Sequence, residues 1–364
     1  MEKKSRLAKQ MQFSPLTQEQ YGRSTRSTRR STDAGSRRAK LLDNAKDRED
    51  SEDQASAMIA QSRLSRVEPT ESSSGPRFPI SPIPAVNVAS VPQRSPLRYP
   101  GGKTWLIPHI RSWLTPLTPR PRVLIEPFCG GGTVALTAVC EELADRSVLA
   151  EFDHDVAAFW HAALRHNDEL CNLISEFEPT LEAVSALAGR PPRSLLEHGF
   201  RTLVLNRTRR GGILAPGAAL TKSGENNKGL ASRWYPDTII GRLRNIQAHT
   251  SQITFCETDG MELLETFAEL PGAVAFIDPP YTAGGKRAGN RLYAHHRLDH
   301  RRLFKVLAEA PVEFLMTYDC APEIADLIEE HGFHAVEVVM RNTHHARISE
   351  LVITRRAVFT QPSD

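Results

Sequence analysis

The tetrapeptide Asp278-Pro-Pro-Tyr281 holds the densest chemistry in the chain. Consecutive prolines have no N–H to donate and fix their own φ, so a carbonyl oxygen is left without a ladder partner. The Asp278 carboxylate and the Pro279 carbonyl can then converge as acceptors, with Pro280 stiffening the turn and the Tyr281 ring alongside. Such a group suits an exocyclic amine on a flat base: both N–H bonds are accepted and the ring stacks on the base. The plainer alternative is a proline-stiffened turn with a buried tyrosine.

A second constellation is Ile125-Glu-Pro-Phe-Cys-Gly-Gly-Gly-Thr133. A glycine turn between an apolar run and a helix lets the backbone approach a ligand, and the helix that follows opens with free N–H groups. The spacing is not G-x-G-x-x-G and no Gly-Lys-Ser/Thr follows, which weakens the dinucleotide and P-loop readings. Glu151 ends the next apolar run, about 20 residues on, where an acidic side chain can accept from ribose hydroxyls. A surface carboxylate at a strand end is the alternative there, and Asp153 is a weaker substitute for it. Ahead of these, Arg98-Tyr-Pro-Gly-Gly-Lys103 sets a ring and a cation beside a glycine turn, so Lys103 could pair with a carboxylate and Tyr99 could lie over a ligand.

These residues need elements to carry them. Short apolar runs predict strands at Val123 to Glu126, Val148 to Glu151, Ile253 to Cys256, Ala273 to Ile277 and Glu313 to Thr317, with late strands at His334 to Met340 and Glu350 to Thr354. Helical patterns fill Thr133 to Leu143, Val156 to Phe177, Asp299 to Ala310 and Ala321 to Glu330. Strands alternating with helices predict an α/β fold with a mostly parallel, Rossmann-like sheet covered on both faces. Residues 178–251 break the alternation. They hold helical pieces and then a Gly- and Asn-rich basic loop from Arg207 to Trp234, which reads as an inserted helical subdomain with a long functional loop.

Together the four motifs resemble those of the D12-class adenine-N6 DNA methyltransferases, the Dam family, over roughly Pro96 to Arg355. Arg98 to Lys103 looks like that family's motif X, Ile125 to Thr133 its motif I, the acidic Glu151 its motif II and Asp278 to Tyr281 its motif IV, in the same order. The resemblance implies S-adenosylmethionine as methyl donor and no metal. It implies that Tyr99 and Lys103 contact the methionine part of the donor and Glu151 its ribose. Glu126, Phe128, Gly130 and Gly132 would complete that cofactor site, and Asp278 would lie between cofactor and base. Asp259 would either approach the cofactor adenine or cap a helix. Pro279, Pro280 and Tyr281 would join Asp278 as catalytic residues. A base stacked in a duplex cannot reach such a pocket, so it would be flipped out.

The resemblance also implies that residues 95–177 and 252–358 form the catalytic domain and 178–251 the DNA target-recognition region, with Arg207, Arg209, Arg210, Lys222 and Arg233 serving phosphates or guanine edges. A solvated basic loop is the alternative for those cations. Glu replaces the more usual Asp at position 151, and the loop differs from that of members that methylate GATC, so that specificity does not carry over. Transfer to cytosine N4, to RNA or to a glutamine amide uses a similar tetrapeptide, and a DNA-binding regulator that has lost catalysis is the reading from another class.

The whole chain sets the frame. Its 364 residues are 40% hydrophobic and 24% charged, enough for a sizeable core. The net charge of +3 permits a polyanionic partner without demanding one. Residues 1–94 are rich in Ser, Thr and charge, include the low-complexity stretch Arg23 to Arg38, and end in a Pro-rich connector. They are expected to be a disordered tail and linker, apart from a short helix around Ala39 to Ala60; the tail is either a solvated segment or a non-specific phosphate-binding arm. The five cysteines form no C-x-x-C pair, and the histidines at 295, 296, 300, 344 and 345 match no zinc spacing. No run is long and apolar enough to span a bilayer. The expectation is a cytoplasmic, bacterial or phage-encoded monomer acting on double-stranded DNA, with a cognate restriction endonuclease as a conceivable partner.

Overall fold

The computed structural model describes residues 77–84, 87–99, 102–215, 218–221, 224, 229–280, 298–341 and 347–359. The tail before residue 77 with its expected helix, Pro100 and Gly101, Lys222, Lys228, the segment 281–297 with Tyr281 and the paired histidines 295 and 296, and His344 and His345 lie outside the described residues.

Among the described residues, seven strands form one sheet: β1 (Val123–Glu126), β2 (Arg146–Glu151), β3 (Ile253–Glu257), β4 (Ala273–Ile277), β5 (Glu313–Asp319), β6 (His334–Arg341) and β7 (Arg347–Thr354). Their order is β3-β2-β1-β4-β5-β7-β6. The first five are parallel, and β7 runs antiparallel to both β5 and β6. This is the mostly parallel, Rossmann-like α/β sheet expected from the alternation of elements. The chain moves outward from β1 to β2 and β3, then returns to place β4 on the other side of β1. A crevice opens where the order reverses, at the carboxyl ends of β1 and β4.

The core shows why these runs became strands. Successive side chains of a strand point to opposite faces. Leu124, Leu149, Val274, Phe276 and Leu315 enter one apolar cluster, whereas Val123, Ile125, Val148, Ala150, Ala275, Ile277 and Met316 enter the other. On the first face lie α1 (Ile107–Leu114), α2 (Thr133–Cys140), α3 (His154–Arg165), α4 (Asn167–Glu176), α5 (Leu181–Ala188), α6 (Leu195–Thr208) and α7 (Pro236–Ala248). On the second lie α8 (Gly260–Phe267), α9 (His300–Glu309) and α10 (Pro322–His331).

Two differences from the sequence reading have local causes. The single helix expected from Val156 to Phe177 breaks at His166, which leaves helical geometry at φ −131°. The Asn167 side chain donates to the carbonyls of Ala163 and Leu243, at 2.8 and 2.9 Å, and so ties the break to α7. The Pro-rich connector is docked from Pro79 onward. Ser81 N–H donates to Glu337 O and Glu337 N–H to Pro79 O, so this segment pairs with β6 along the outer edge of the sheet. Val91 and Leu97 then enter the core. Helices α6 and α7, from residues 178–251, pack on α3 and α4 and share their apolar cluster.

Candidate active site

An open cleft of about 980 Å³, counting solvent at its mouth, sits in the crevice. It is lined by the turn from Glu126 to Val134, by Glu151 to Asp153, by Asp259 and Gly260, and by Tyr99, Lys103, Asp278 and Pro280. Five separate stretches of sequence therefore meet at one place, four of them at the carboxyl end of a strand.

The turn after β1 is built on backbone geometry that side chains resist. Gly130 and Gly132 have φ of +46° and +63°. A Cβ on Gly130 would lie 2.6 Å from the Tyr99 ring, and one on Gly132 2.6 Å from Trp160. The ring of Tyr99 is thus seated directly on the turn. Trp160 Nε1 donates to Gly130 O at 2.8 Å, and Cys129 N–H donates to Ala150 O at 3.0 Å, which bind the turn to α3 and β2.

Two carboxylates hold this turn from inside. Glu126, on β1, accepts from Ala135 N–H at 2.7 Å and so satisfies an amide in the first turn of α2. Burial pushes its pKa well above the usual carboxylate range; the bond from Ala135 opposes this and the charge of Asp278 adds to it. Glu151 Oε2 accepts from Gly130 N–H at 3.0 Å, and its Oε1 from the amides of Phe152 and Asp153. Burial raises its pKa to about 7, against the pull of those three amides. Asp259 accepts from Met261 N–H at 2.7 Å and from Glu262 N–H, so it is a helix N-cap for α8, and it also lines the cleft. The cap and a place on the cleft wall thus share one residue.

Asp278 follows β4. Its Oδ1 lies 2.9 Å from Lys103 Nζ and accepts from Thr317 Oγ1 at 2.8 Å. Lys103 is also 3.6 Å from Glu350 Oε2. Burial would lower the pKa of Lys103, but the charges of Asp278 and Glu350 outweigh it and the ammonium is held above its ordinary value. Pro279 is buried and Pro280 borders the cleft, with Phe128 against Gly260.

The cations proposed for DNA are spread differently. Arg210 is exposed and Arg209 half-buried, with Arg209 Nη1 donating to Leu214 O at 2.9 Å. Arg207 and Arg233 are enclosed, at 1% and 4% exposure, and do not face solvent. The sequence reading missed several residues of the site. Phe152, 45% exposed, offers a flat apolar face at the cleft beside Glu151. Asn206, wholly buried, accepts from Arg98 N–H and donates to Arg98 O and Gly212 O, stitching the basic loop to the segment that carries Tyr99. Thr317 and Glu350 carried no motif; a carboxylate within an apolar strand was the one signal available for Glu350.

No family model matches the chain. The chain is similar to a DNA N-6-adenine-methyltransferase of Escherichia phage P1. The two are 26% identical over 263 residues, which cover 69% of this chain, and the chain spans 33% of the length of that protein. Among solved structures, the rRNA methyltransferase AviRa from Streptomyces viridochromogenes is 16% identical with a TM-score of 0.34, covering 78% of this chain and 89% of that one. Among the described residues no group of three or more His, Cys, Asp or Glu could hold a metal ion, and no helix is long and apolar enough to cross a membrane.

Proposed function

We propose that the chain transfers the methyl group of S-adenosylmethionine to the exocyclic N6 of an adenine flipped out of duplex DNA. The observation that carries this reading is the convergence, in one cleft at the switch point of the sheet, of the glycine turn, Tyr99, Glu151, Asp278 and Pro280. The donor set suits the cofactor. Glu151 and Asp259 offer carboxylates for hydroxyl and amine donors, Phe152 and Tyr99 offer ring faces, and the tight glycine backbone leaves room for close approach. Bound there, S-adenosylmethionine supplies an electrophilic methyl group on a sulfonium.

The chain's own residues do the rest. The amine of adenine is conjugated with its ring and is a poor nucleophile. Asp278 and the Pro279 carbonyl accept its two N–H bonds, which favours a pyramidal nitrogen with its lone pair released from the ring. Tyr281 stacks on the extruded base. Catalysis of this kind is positioning and electrostatics, with no covalent intermediate on the enzyme. Arg209 and Arg210, on the loop that Asn206 ties to Arg98, serve the DNA backbone.

The test is incubation of the full chain with duplex DNA and tritiated S-adenosylmethionine, followed by nucleoside mass analysis. N6-methyladenine is expected. N4-methylcytosine would move the reading to the other amine that suits the same acceptors, and donor binding without transfer to any nucleic acid would point to a regulator.

A further inference from the structure

We propose that Thr317 and Glu350 are positioning residues for this reaction, holding Asp278 and Lys103 in one fixed arrangement; the inference rests on the functional reading just given. The sheet topology brings them there. Thr317 lies near the carboxyl end of β5, beside β4, and pairs with Val352 of β7. Because β7 runs antiparallel to β5, its early residues lie at the carboxyl end of the parallel strands, and Glu350 pairs with Asp319 at that end. A parallel strand in the same place would present its last residues there instead. The reversed strand β7 thus delivers a carboxylate to Lys103, behind the cleft lining, from a segment more than 70 residues after Asp278.

Two donors to Asp278 meet the same oxygen. Thr317 Oγ1 and Lys103 Nζ approach Oδ1 at 2.8 and 2.9 Å, which fixes the rotation of the carboxylate and the direction of its other oxygen. Thr317 is wholly buried, and Lys103 and Glu350 are 4% and 8% exposed, while the Asp278 side chain reaches the cleft at 23%. The arrangement runs from a buried scaffold to a partly open tip. A plain buried ion pair needs one carboxylate for one ammonium, and removing charges from water is costly. Here one ammonium faces two carboxylates. Glu350 touches Lys103 but does not line the cleft, whereas Asp278 does, which suits Glu350 to anchoring the lysine while Asp278 stays at the cleft.

The experiment uses the full chain and has an arm that does not depend on turnover. Thr317→Val is expected to lower kcat at least about 10-fold while the Kd for S-adenosylhomocysteine and the KM for DNA stay within about twofold, because misplacement of a reacting group falls on the chemical step. Thr317→Ser keeps the hydroxyl and is expected to restore most of the rate. Glu350→Gln should likewise lower kcat more than it changes donor binding. In protein labelled with 15N-lysine, a buried and hydrogen-bonded ammonium gives a slowly exchanging Nζ signal, assigned by its loss in Lys103→Met. That signal is expected to shift in Glu350→Gln and in Thr317→Val.

Unchanged kcat in Thr317→Val and Glu350→Gln overturns the proposal. So does equal loss in the Ser and Val variants, or an Nζ signal that ignores Glu350. If the wild type moves no methyl group while the Nζ signal responds to both substitutions, the arrangement is supported and the proposed function falls instead.

Discussion

At Asp278 one oxygen serves Lys103 and Thr317, so Asp278→Ala removes the proposed acceptor for the substrate amine and leaves Lys103 facing Glu350. Methyl transfer to duplex DNA is expected to fall by at least about 100-fold, the range for loss of one preorganised group at a reacting centre, with the circular dichroism spectrum unchanged. Wild-type rates in that variant would remove the assignment. Glu151 titrates where it can be watched. Its pKa of about 7 stands above the ordinary 4.5 because burial penalises the carboxylate more than its three amide donors restore. The folded chain therefore binds more protons at this site than the unfolded chain between those values, and the site's contribution to stability falls as pH rises through that window. Glu151→Gln removes that contribution, so urea midpoints of the variant and the wild type should converge at low pH and separate towards pH 8 in favour of the variant. Donor binding runs the other way. An ionised carboxylate accepts hydroxyl bonds more strongly, so the wild-type affinity for S-adenosylhomocysteine should rise from pH 6 to pH 8 in calorimetry, and the Glu151→Gln affinity should stay flat.

The turn between β1 and α2 is the element on which the site depends. Gly132→Ala would force an L side chain to φ +63° and drive its Cβ to 2.6 Å from Trp160. Strain and overpacking together are expected to cost about 2 to 4 kcal/mol in urea melts. The basic loop divides its cations by burial. Arg209→Ala with Arg210→Ala should weaken DNA binding more than donor binding, with exposed Arg210 giving most of the salt-dependent part and lowering the salt slope by about one. Arg207→Ala, from the interior, should instead lower stability by about 2 to 4 kcal/mol through the cavity it leaves. The elements were legible in the sequence wherever one residue type repeated at one period. Val123 to Glu126 and Ala273 to Ile277 appear as strands with the expected bounds, and the turn at Gly130 follows from its glycines. What was not legible depends on long-range packing. Nothing local marks Arg207 as buried and Arg210 as exposed, because that depends on how α6 lies against α3. Nothing local marks Thr317 or Glu350, because Thr317 meets Asp278 only where β5 lies beside β4, and Glu350 meets Lys103 only through the antiparallel placement of β7.

For the molecule as a whole, the outer edge of β6 is one of the two edges at which the sheet could associate. An unpaired strand edge presents free N–H and C=O groups that template pairing with another chain. Here Pro79 to Ser81 covers part of that edge through the bonds with Glu337, and Arg77 anchors the segment by ion pairs to Asp326 and Glu329 of α10. Those ion pairs are exposed and contribute little on their own, since surface pairs are worth about 0 to 1 kcal/mol. The backbone pairing contributes more, about 1 kcal/mol for each hydrogen bond. Ser81 extends the contact inward: its Oγ lies 2.9 Å from His109 Nε2, and burial lowers that histidine's pKa to about 4, so the ring is neutral at pH 7. The segment therefore joins the sheet edge to α1, the helix that follows Lys103. Two truncations separate its role from that of the charged tail. Removal of residues 1–76 keeps the pairing, so a monodisperse chain with wild-type melting is expected, and any change falls on salt-dependent DNA affinity. Removal of residues 1–84 takes the covering segment as well. Light scattering should then show concentration-dependent association, with a melting temperature lower by several degrees. A shorter truncation that associates as readily as the longer one would assign the protection to the charge of the tail rather than to the pairing at Glu337.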